Sequence, residues 1–490
     1  MKRITILVTL IVFGYLALSA NGTKRPNIIL VMSDDQGWGQ TSYNNHPILK
    51  TPNLDKMSEN GIRFNRFYAG APVCSPSRAS VLTGRSNDRT GVYSAGYALC
   101  SQEKTIAQAL QKAGYKTAHF GKWHLSGLKG PGVPIFASDE RNPGKFGFDE
   151  WLSVSNFFDI DPIMSHNGEF VEMKGESSHI IVNEALRFIE KEKDNEKPLF
   201  IVIWYGSPHA PWRADEKDKK PFHDLAKEAQ NHYGELVSMD SSIGDLRSGL
   251  RSLKIEENTL VWFNSDNGGL PNFGPETVGG LRGYKSQIYE GGLRVPCIIE
   301  WPAGIHQSLV TNYPASTMDI FPTIADILNL PKSDMVLPMD GASIKKLFKK
   351  DLKTRTKPIP FRHLGKAAII DNNYKLISLD INKNKFELYD LAKDPNETKD
   401  IIDTEKVIAR QMIEKFNIWN QSVEASVAGK DYPKGLIKPN GYNVLWNTLP
   451  EYIPYLEQWK TRPEYKDALK KRELSVLCNI DLNTKNYYYN

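Results

Sequence analysis

The stretch CSPSRASVLTGR, Cys74–Arg85, sets a thiol directly before the start signals of a short helix, in a chain with only four cysteines among 490 residues. Ser75 and Pro76 read as N-cap and first helical position and Gly84 as the stop, which predicts a helix over Pro76–Thr83. Cys74 then lies just outside the positive end of that helix, where anions are attracted and thiol pKa values fall. Arg78 adds a fixed cation able to fork onto an oxyanion or a carboxylate. The combination suits a nucleophile acting on a negatively charged group.

Reactive residue types also recur where strands end. The apolar runs in IILVMSDD, TAHFGKWH, FIVIWYGSPH and LVWFNSDN finish in Asp34 and Asp35, in Lys122 and His124, in His209, and in Asp266 and Asn267. Ligands of open parallel sheets bind outside the carboxyl ends of the strands, so four strands would deliver cationic donors and oxygen ligands to one edge. Taken singly, each has an ordinary structural role: an Asp after a strand caps a helix, and an isolated His is usually a satisfied core residue. Together, three carboxylates and an amide carbonyl suit a hard cation, and no clustered His or Cys ligands point to zinc or copper. Calcium, which tolerates an irregular oxygen shell, is the favoured ion and magnesium stays open. Carboxylates packed this closely repel one another unless a cation sits among them.

The elements that must position these groups are visible as periodicity. NIILVMS, KTAHF, PLFIVIWY, TLVWFNS and RVPCIIEW read as strands buried on both faces, with helical patterns such as TIAQALQKAG and ESSHIIVNEALRFIEKEK between them. That alternation predicts an α/β fold with a large, mostly parallel sheet sandwiched by helices. Near residue 355 the pattern changes to polar–apolar alternation with turn signals at DNN and KNK, an antiparallel meander, followed by helical patterns over Thr404–Val427 and Leu449–Leu474. The expected organisation is a leader over 1–20, a large domain carrying the chemistry over 21–354, and a smaller α+β domain over 355–490.

Composition narrows the class further. With 40% hydrophobic and 24% charged residues the chain has material for a sizeable core. MKRITILVTLIVFGYLALSA carries two cations, an apolar run over Ile4–Leu18 and small residues at Ala17, Ser19 and Ala20, the pattern of a signal peptide. The run is shorter than the roughly 20 apolar residues of a membrane span, and no cysteine follows it to take a lipid. The expectation is an exported protein, periplasmic or secreted, with no stable membrane anchor. A net charge of +5 with no long Lys/Arg tract, KDKK and KKR reading as solvated surface, gives no support to a nucleic-acid partner. Four widely spaced cysteines make neither a disulfide framework nor a zinc pattern; Cys297, inside an apolar strand, reads as buried, and Cys100 and Cys478 stay undecided.

Cys74, Pro76 and Arg78, followed by LTGR at Leu82–Arg85, resemble the signature of the type I sulfatases of the alkaline phosphatase superfamily, in which the cysteine of C-x-P-x-R is oxidised to formylglycine. The resemblance extends along the mature chain. PNIILVMSDDQGWG is similar to the family's opening metal strand, GKWHL to its lysine–histidine segment, and SPHAPW to the segment of the second histidine. SDNGG matches the last metal ligands, LRGYKSQIYEGGLRVP the second lysine segment with its glycines, and FELYDLAKDPNE the C-terminal domain.

What the resemblance implies is an alkaline phosphatase-like fold and a sulfuric ester hydrolase. Its calcium would be held by Asp34, Asp35, Asp266 and Asn267, with an oxygen of the modified Cys74 and the sulfate completing the shell. A hydroxyl of the hydrated aldehyde, stabilised by the cation and Arg78, would attack sulfur, giving a covalent sulfate. Lys122 and Lys285 would bind sulfate oxygens, His209 would protonate the leaving oxygen, and His124 would take the proton that returns the aldehyde. A formylglycine-generating or other sulfatase-maturing enzyme is an implied partner. Trp123, Trp204, Tyr205 and Trp212 beside these groups suit sugar rings, so the expected substrate is a sulfated polysaccharide or oligosaccharide. The rivals are a phosphomonoester or phosphodiester hydrolase of the same superfamily and an exported glycan-binding protein that has lost turnover.

Overall fold

The computed structural model describes residues 24–438 and 440–477; the leader and Cys478 lie outside them. Ten strands form one mixed sheet. Its centre is five parallel strands in the spatial order Thr259–Ser265, Asn27–Ser33, Leu199–Trp204, Lys116–Lys122 and Glu150–Val154. Cys297–Glu300 runs antiparallel beside Thr259–Ser265, and the hairpin Ile163–His166 with Glu169–Glu172 closes the other side. The sheet is the sandwiched α/β sheet that the alternation of strands and helices predicts.

Side-chain alternation explains why these runs carry almost no polar residue. In Asn27–Ser33, Ile28, Leu30 and Met32 enter one core while Ile29 and Val31 enter the other. Phe200, Val202 and Trp204 are likewise separated from Leu199, Ile201 and Ile203. The first core receives Ala79, Val81 and Leu82 of the helix Cys74–Thr83 and the apolar face of Ile320–Leu328. The second receives Leu54 and Met57 of Pro52–Glu59 and the inner faces of Ser177–Glu192 and Lys227–Ser252.

A second sheet of four antiparallel strands, Ile359–His363, Lys366–Asp371, Tyr374–Ser378 and Glu387–Asp390, is the predicted meander. Its first hairpin turns through Leu364 and Gly365, both at positive φ (46° and 77°). One face of this sheet packs on Ala409, Met412 and Phe416 of the helix Lys406–Val427. The other packs on Tyr68, Ile288, Leu293 and Met318 of the large sheet's connections.

The helix expected over Leu449–Leu474 is broken. A 3-10 segment Pro450–Tyr455 and a single turn Leu456–Trp459 precede the helix Lys466–Leu477. Pro454 and Pro463 account for the breaks, because each lacks an N–H and disfavours helical geometry at the residue before it. The broken segment returns to the large sheet, where Trp446, Tyr452, Trp459 and Tyr465 share a core with Leu128, Val133 and Ile163.

Candidate active site

Register places the first acidic groups side by side. Ser33 is aligned with Ser265 across two parallel neighbours, so Asp34 and Asp266 leave the sheet together. The Asp266 N–H donates to the Ser33 carbonyl at 3.1 Å, and the Asp34 N–H to the Ser207 carbonyl at 3.0 Å. Asp35 then turns into the left-handed region (φ 67°), where its N–H donates to Asp266 Oδ1 at 3.1 Å and its Oδ1 accepts from Asn267 Nδ2 at 2.8 Å.

The helix that carries the thiol begins earlier than its sequence signals. Cys74 itself is the first helical residue, Val73 is the cap with extended backbone, and Gly84 stops the helix in the left-handed region. The Ser75 hydroxyl caps nothing; it accepts the N–H of Gly96 at 2.8 Å, tying the helix start to the next loop. Four residues on, Arg78 donates to Asp266 Oδ2 at 2.8 Å and to the Lys122 carbonyl at 3.1 Å, with its guanidinium 5.0 Å from the ring centre of Trp204.

The second lysine arrives on a loop, held by glycines. A Cβ on Gly268 would stand 1.9 Å from the Gly291 carbonyl oxygen, so only glycine lets SDNGG and EGG approach this closely. Across that contact the Lys285 N–H donates to the Gly269 carbonyl at 3.0 Å, and Lys285 Nζ reaches Asp35 Oδ1 at 2.7 Å. Lys122 Nζ lies 2.5 Å from Asp34 Oδ2. His209 directs Nδ1 to the Ala210 carbonyl at 2.5 Å, leaving Nε2 3.8 Å from Asp35 Oδ2, and its ring stacks on Phe157 at 5.0 Å.

One ligand atom each from Asp34, Asp35, Cys74 and His209 lie within 4.8 Å of one another. All ten residues singled out in the sequence therefore belong to one neighbourhood, His124 included, whose charge state responds to Lys122, Arg78, Asp34 and His209. Nearly all of it is buried: Asp34, Arg78, Lys122, Asp266 and Asn267 are 0% exposed and Cys74 1%.

Charge is strongly displaced here. Burial raises Asp34, but Lys122, His209, Arg78 and Lys285 outweigh it and hold the carboxyl well below its usual range. Burial and the neighbouring Asp34 push Asp266 up to about 7, against Arg78 and Lys122. Burial, aided by Lys285, lowers His209 to about 4 despite the two aspartates. Burial, then Lys122 and Arg78, also lower His124, so the surroundings favour the neutral form of both imidazoles. The thiol does not follow the helix-start expectation: burial and Asp34 drive Cys74 well above its ordinary value. An unmodified Cys74 is thus a poor nucleophile.

Several buried polar atoms have no hydrogen-bond partner in the protein: Asp34 Oδ1, Asn267 Oδ1, Arg78 Nε and both ring nitrogens of His124. Two orphaned oxygens beside two further carboxylates fit a hard cation with oxygen ligands.

Three of the four aromatics read as sugar faces are core. Trp123, Trp204 and Tyr205 are 0% exposed, the two indoles stacking at 6.1 Å and Tyr205 bonding to Ser242. Trp212 is half-buried, its N–H on the Pro208 carbonyl and its ring against Phe273. Phe157 behind His209 was not anticipated, since it lies in a loop outside any motif. Among the cysteines, Cys297 is buried as expected, and Cys74 and Cys100 are buried free thiols.

Fold and site thus define an α/β protein whose sheet edge gathers acidic and cationic groups around one thiol. A profile of the sulfatase family matches residues 26–330, and one described as N-sulphoglucosamine sulphohydrolase, C-terminal, matches residues 283–422. The chain belongs to the sulfatase family and is a sulfuric ester hydrolase with an alkaline phosphatase-like fold. It is 34% identical over 375 residues to N-acetylgalactosamine-6-sulfatase of Canis lupus familiaris, covering 68% of each protein. It is 28% identical over 349 residues to an ulvan-active sulfatase of Formosa agariphila, covering 66% of this chain and 65% of that one. The solved structure of Ps i-CgsB in complex with k-i-k-neocarrahexaose shares the fold, with a TM-score of 0.73 at 24% identity over 91% of this chain and all of that one.

Proposed function

We propose that this chain hydrolyses a sulfate ester on a sulfated polysaccharide or oligosaccharide, with Cys74 matured to formylglycine by a sulfatase-maturing enzyme and calcium at the carboxylates. The observation that carries the reading is the meeting of Cys74 Sγ, Asp34, Asp35 and His209 within 4.8 Å beside two orphaned oxygens. The thiol Sγ marks the place of the hydrated aldehyde, which supplies the nucleophilic hydroxyl. Asp34, Asp35, Asp266 and Asn267 would hold the calcium, which would supply Lewis-acid polarisation and charge neutralisation.

The remaining work falls to side chains of the chain itself. Arg78, fixed by Asp266 and the Lys122 carbonyl, keeps a cation over the helix start, where negative charge develops. Lys122 and Lys285 place two ammonium groups at the site to balance the sulfate oxygens. His209, oriented by the Ala210 carbonyl, presents Nε2 for proton delivery to the leaving alcohol oxygen; the arriving sulfate's negative charge favours its protonated form. His124, neutral and without a protein partner on either nitrogen, is the group that accepts a proton from the matured residue. The saccharide reading draws support from the relatives, named for N-acetylgalactosamine-6-sulfate and for ulvan. Export follows from the leader pattern, and among the described residues no helix is long and apolar enough to cross a membrane.

Two measurements test the proposal. Mass spectrometry of the Cys74 peptide from protein made in a maturing host should show formylglycine; a thiol there would favour the glycan-binding reading. The matured chain should cleave an aryl sulfate far faster than the matching aryl phosphate, and the reverse preference would favour the phosphoester reading.

A further inference from the structure

We propose that Lys129 reads a second anionic group, a sulfate or a carboxylate, on the saccharide whose sulfate ester is cleaved, an inference that rests on the sulfatase reading above. Lys129 sits five residues beyond His124 on the two-residue strand Leu128–Lys129, which pairs in parallel with Val444–Leu445 of the C-terminal segment. Its Cγ lies 2.8 Å from where a Cβ on Gly96 would stand, and Gly96 is the residue whose N–H binds Ser75, next to Cys74. The lysine stem is therefore one layer of backbone away from the start of the catalytic helix.

Lys129 is half-buried, yet no carboxylate pairs with it among the described residues. Burial lowers the pKa of its ammonium group, with no acidic neighbour to raise it. The comparison with Lys122, Lys285 and Lys375 is direct, because each of those buried lysines lies within 3.1 Å of a carboxylate. A lysine that has lost water without gaining an anion is stabilised when one arrives.

The wall around Lys129 is polar and unsatisfied in the same way. Asn443 Oδ1, 3.7 Å from the same point on Gly96, has no hydrogen-bond partner, and in the segments that flank Lys129 and Asn443 the buried Ser126 Oγ and Asn440 Oδ1 have none either. The segments around Lys129 are held together through backbone carbonyls: the Val444 N–H donates to the Gly127 carbonyl, the Ala98 N–H to the Tyr442 carbonyl, and Asn156 Nδ2 to the Gly130 carbonyl. One unpaired cation beside the uncommitted oxygen of Asn443 suits a sugar ring that brings a hydroxyl donor and one further negative charge.

The test is binding to the full chain carrying Cys74→Ala, which removes turnover from the measurement. Titration calorimetry would compare N-acetyl-D-galactosamine 6-sulfate with its 4,6-disulfate, and D-glucosamine 6-sulfate with the 2-N,6-O-disulfate. A third arm would attach a uronic acid to the monosulfated hexosamine, separating carboxylate from sulfate. At least one doubly anionic ligand should bind about tenfold tighter than its singly charged counterpart, as expected for one charge-assisted contact. Lys129→Met should bring that preference within about twofold, and Lys129→Arg should retain it. A preference untouched by Lys129→Met, or absent before substitution, overturns the proposal. Aryl sulfate turnover by the matured chain tests the sulfatase reading separately, so the two can fail apart.

Discussion

Two of the ionic clusters buried among the described residues, one under the small sheet and one at the large sheet's edge, end differently. In the small-sheet cluster Lys375, Glu290 and Glu397 are 0%, 1% and 0% exposed, and the lysine lies 3.1 Å from Glu290 and 2.8 Å from Glu397. Glu397 Oε2 accepts the Glu290 N–H and Glu290 Oε2 accepts the Tyr68 hydroxyl, so the cluster closes on the protein. The cluster at the sheet edge has more charge in a similar setting, but Asp34 Oδ1, Asn267 Oδ1 and Arg78 Nε remain without partners. Burial of charge does not by itself mark a reaction centre. Glu397 Oε1 also lacks a hydrogen bond but lies 2.8 Å from Lys375 Nζ, so what sets the edge cluster apart is that no cation of the described residues is paired with its orphaned oxygens, Asp34 Oδ1 and Asn267 Oδ1.

The sharpest break between the two is at Cys74. Cys74→Ala should lower aryl sulfate turnover by about 10⁴-fold or more, the scale on which removal of a nucleophile acts. It breaks no disulfide and deletes a single buried atom, so its cost in stability should be small beside its cost in turnover. A Cys74→Ala protein that retains measurable turnover would remove that residue from the chemistry.

Lys375→Met reverses the pattern. Removing the only lysine of the closed cluster leaves two carboxylates buried together, a loss of about 3–5 kcal/mol of stability. Denaturant unfolding would show it. Turnover per folded molecule should fall far less than for Cys74→Ala, although the Glu290–Leu293 turn follows the Lys285 loop. Equal stability would mean that the cluster does not lock the small sheet to the large one.

Calcium should distinguish the clusters next. At a hundredfold excess over its dissociation constant, an ion that binds only the folded state adds about 2.7 kcal/mol of stability. Wild type and Lys375→Met should both gain it, and Asp34→Asn should not. A calcium response retained in Asp34→Asn would place the ion elsewhere.

How far the sequence reached follows the same division. The edge site was legible because its residues end strands whose apolar runs are unmistakable, and parallel sheets gather strand ends. The closed cluster was not, because Glu290 lies 85 residues from Lys375 and 107 from Glu397 and no local pattern joins them. Trp204 was misplaced for another reason. Nearness to His209 in sequence says nothing about facing, whereas strand parity does, since Trp204 alternates with Phe200 and Val202 into the core. Ser75 misled because its side chain bonds across to Gly96 instead of capping its own helix. The long C-terminal helix failed because two prolines outweigh an apolar repeat.

The smallest expected effect probes how the edge site holds His209, its proposed proton donor. Phe157 lies flat against His209, with rings 5.0 Å apart and 11° between planes. Phe157→Ala should cost about 0.5–1.5 kcal/mol of transition-state stabilisation, roughly two- to tenfold in kcat/KM. The size of the loss should depend on the leaving group. An aryl oxide departs with little help, so aryl sulfate turnover should change least, whereas a sugar alkoxide needs its proton as the bond breaks. A loss that grows from aryl to sugar sulfates would assign proton delivery to His209. An equal loss for both would mean that Phe157 only shapes the wall, and would leave the leaving group's proton source to another residue at the sheet edge.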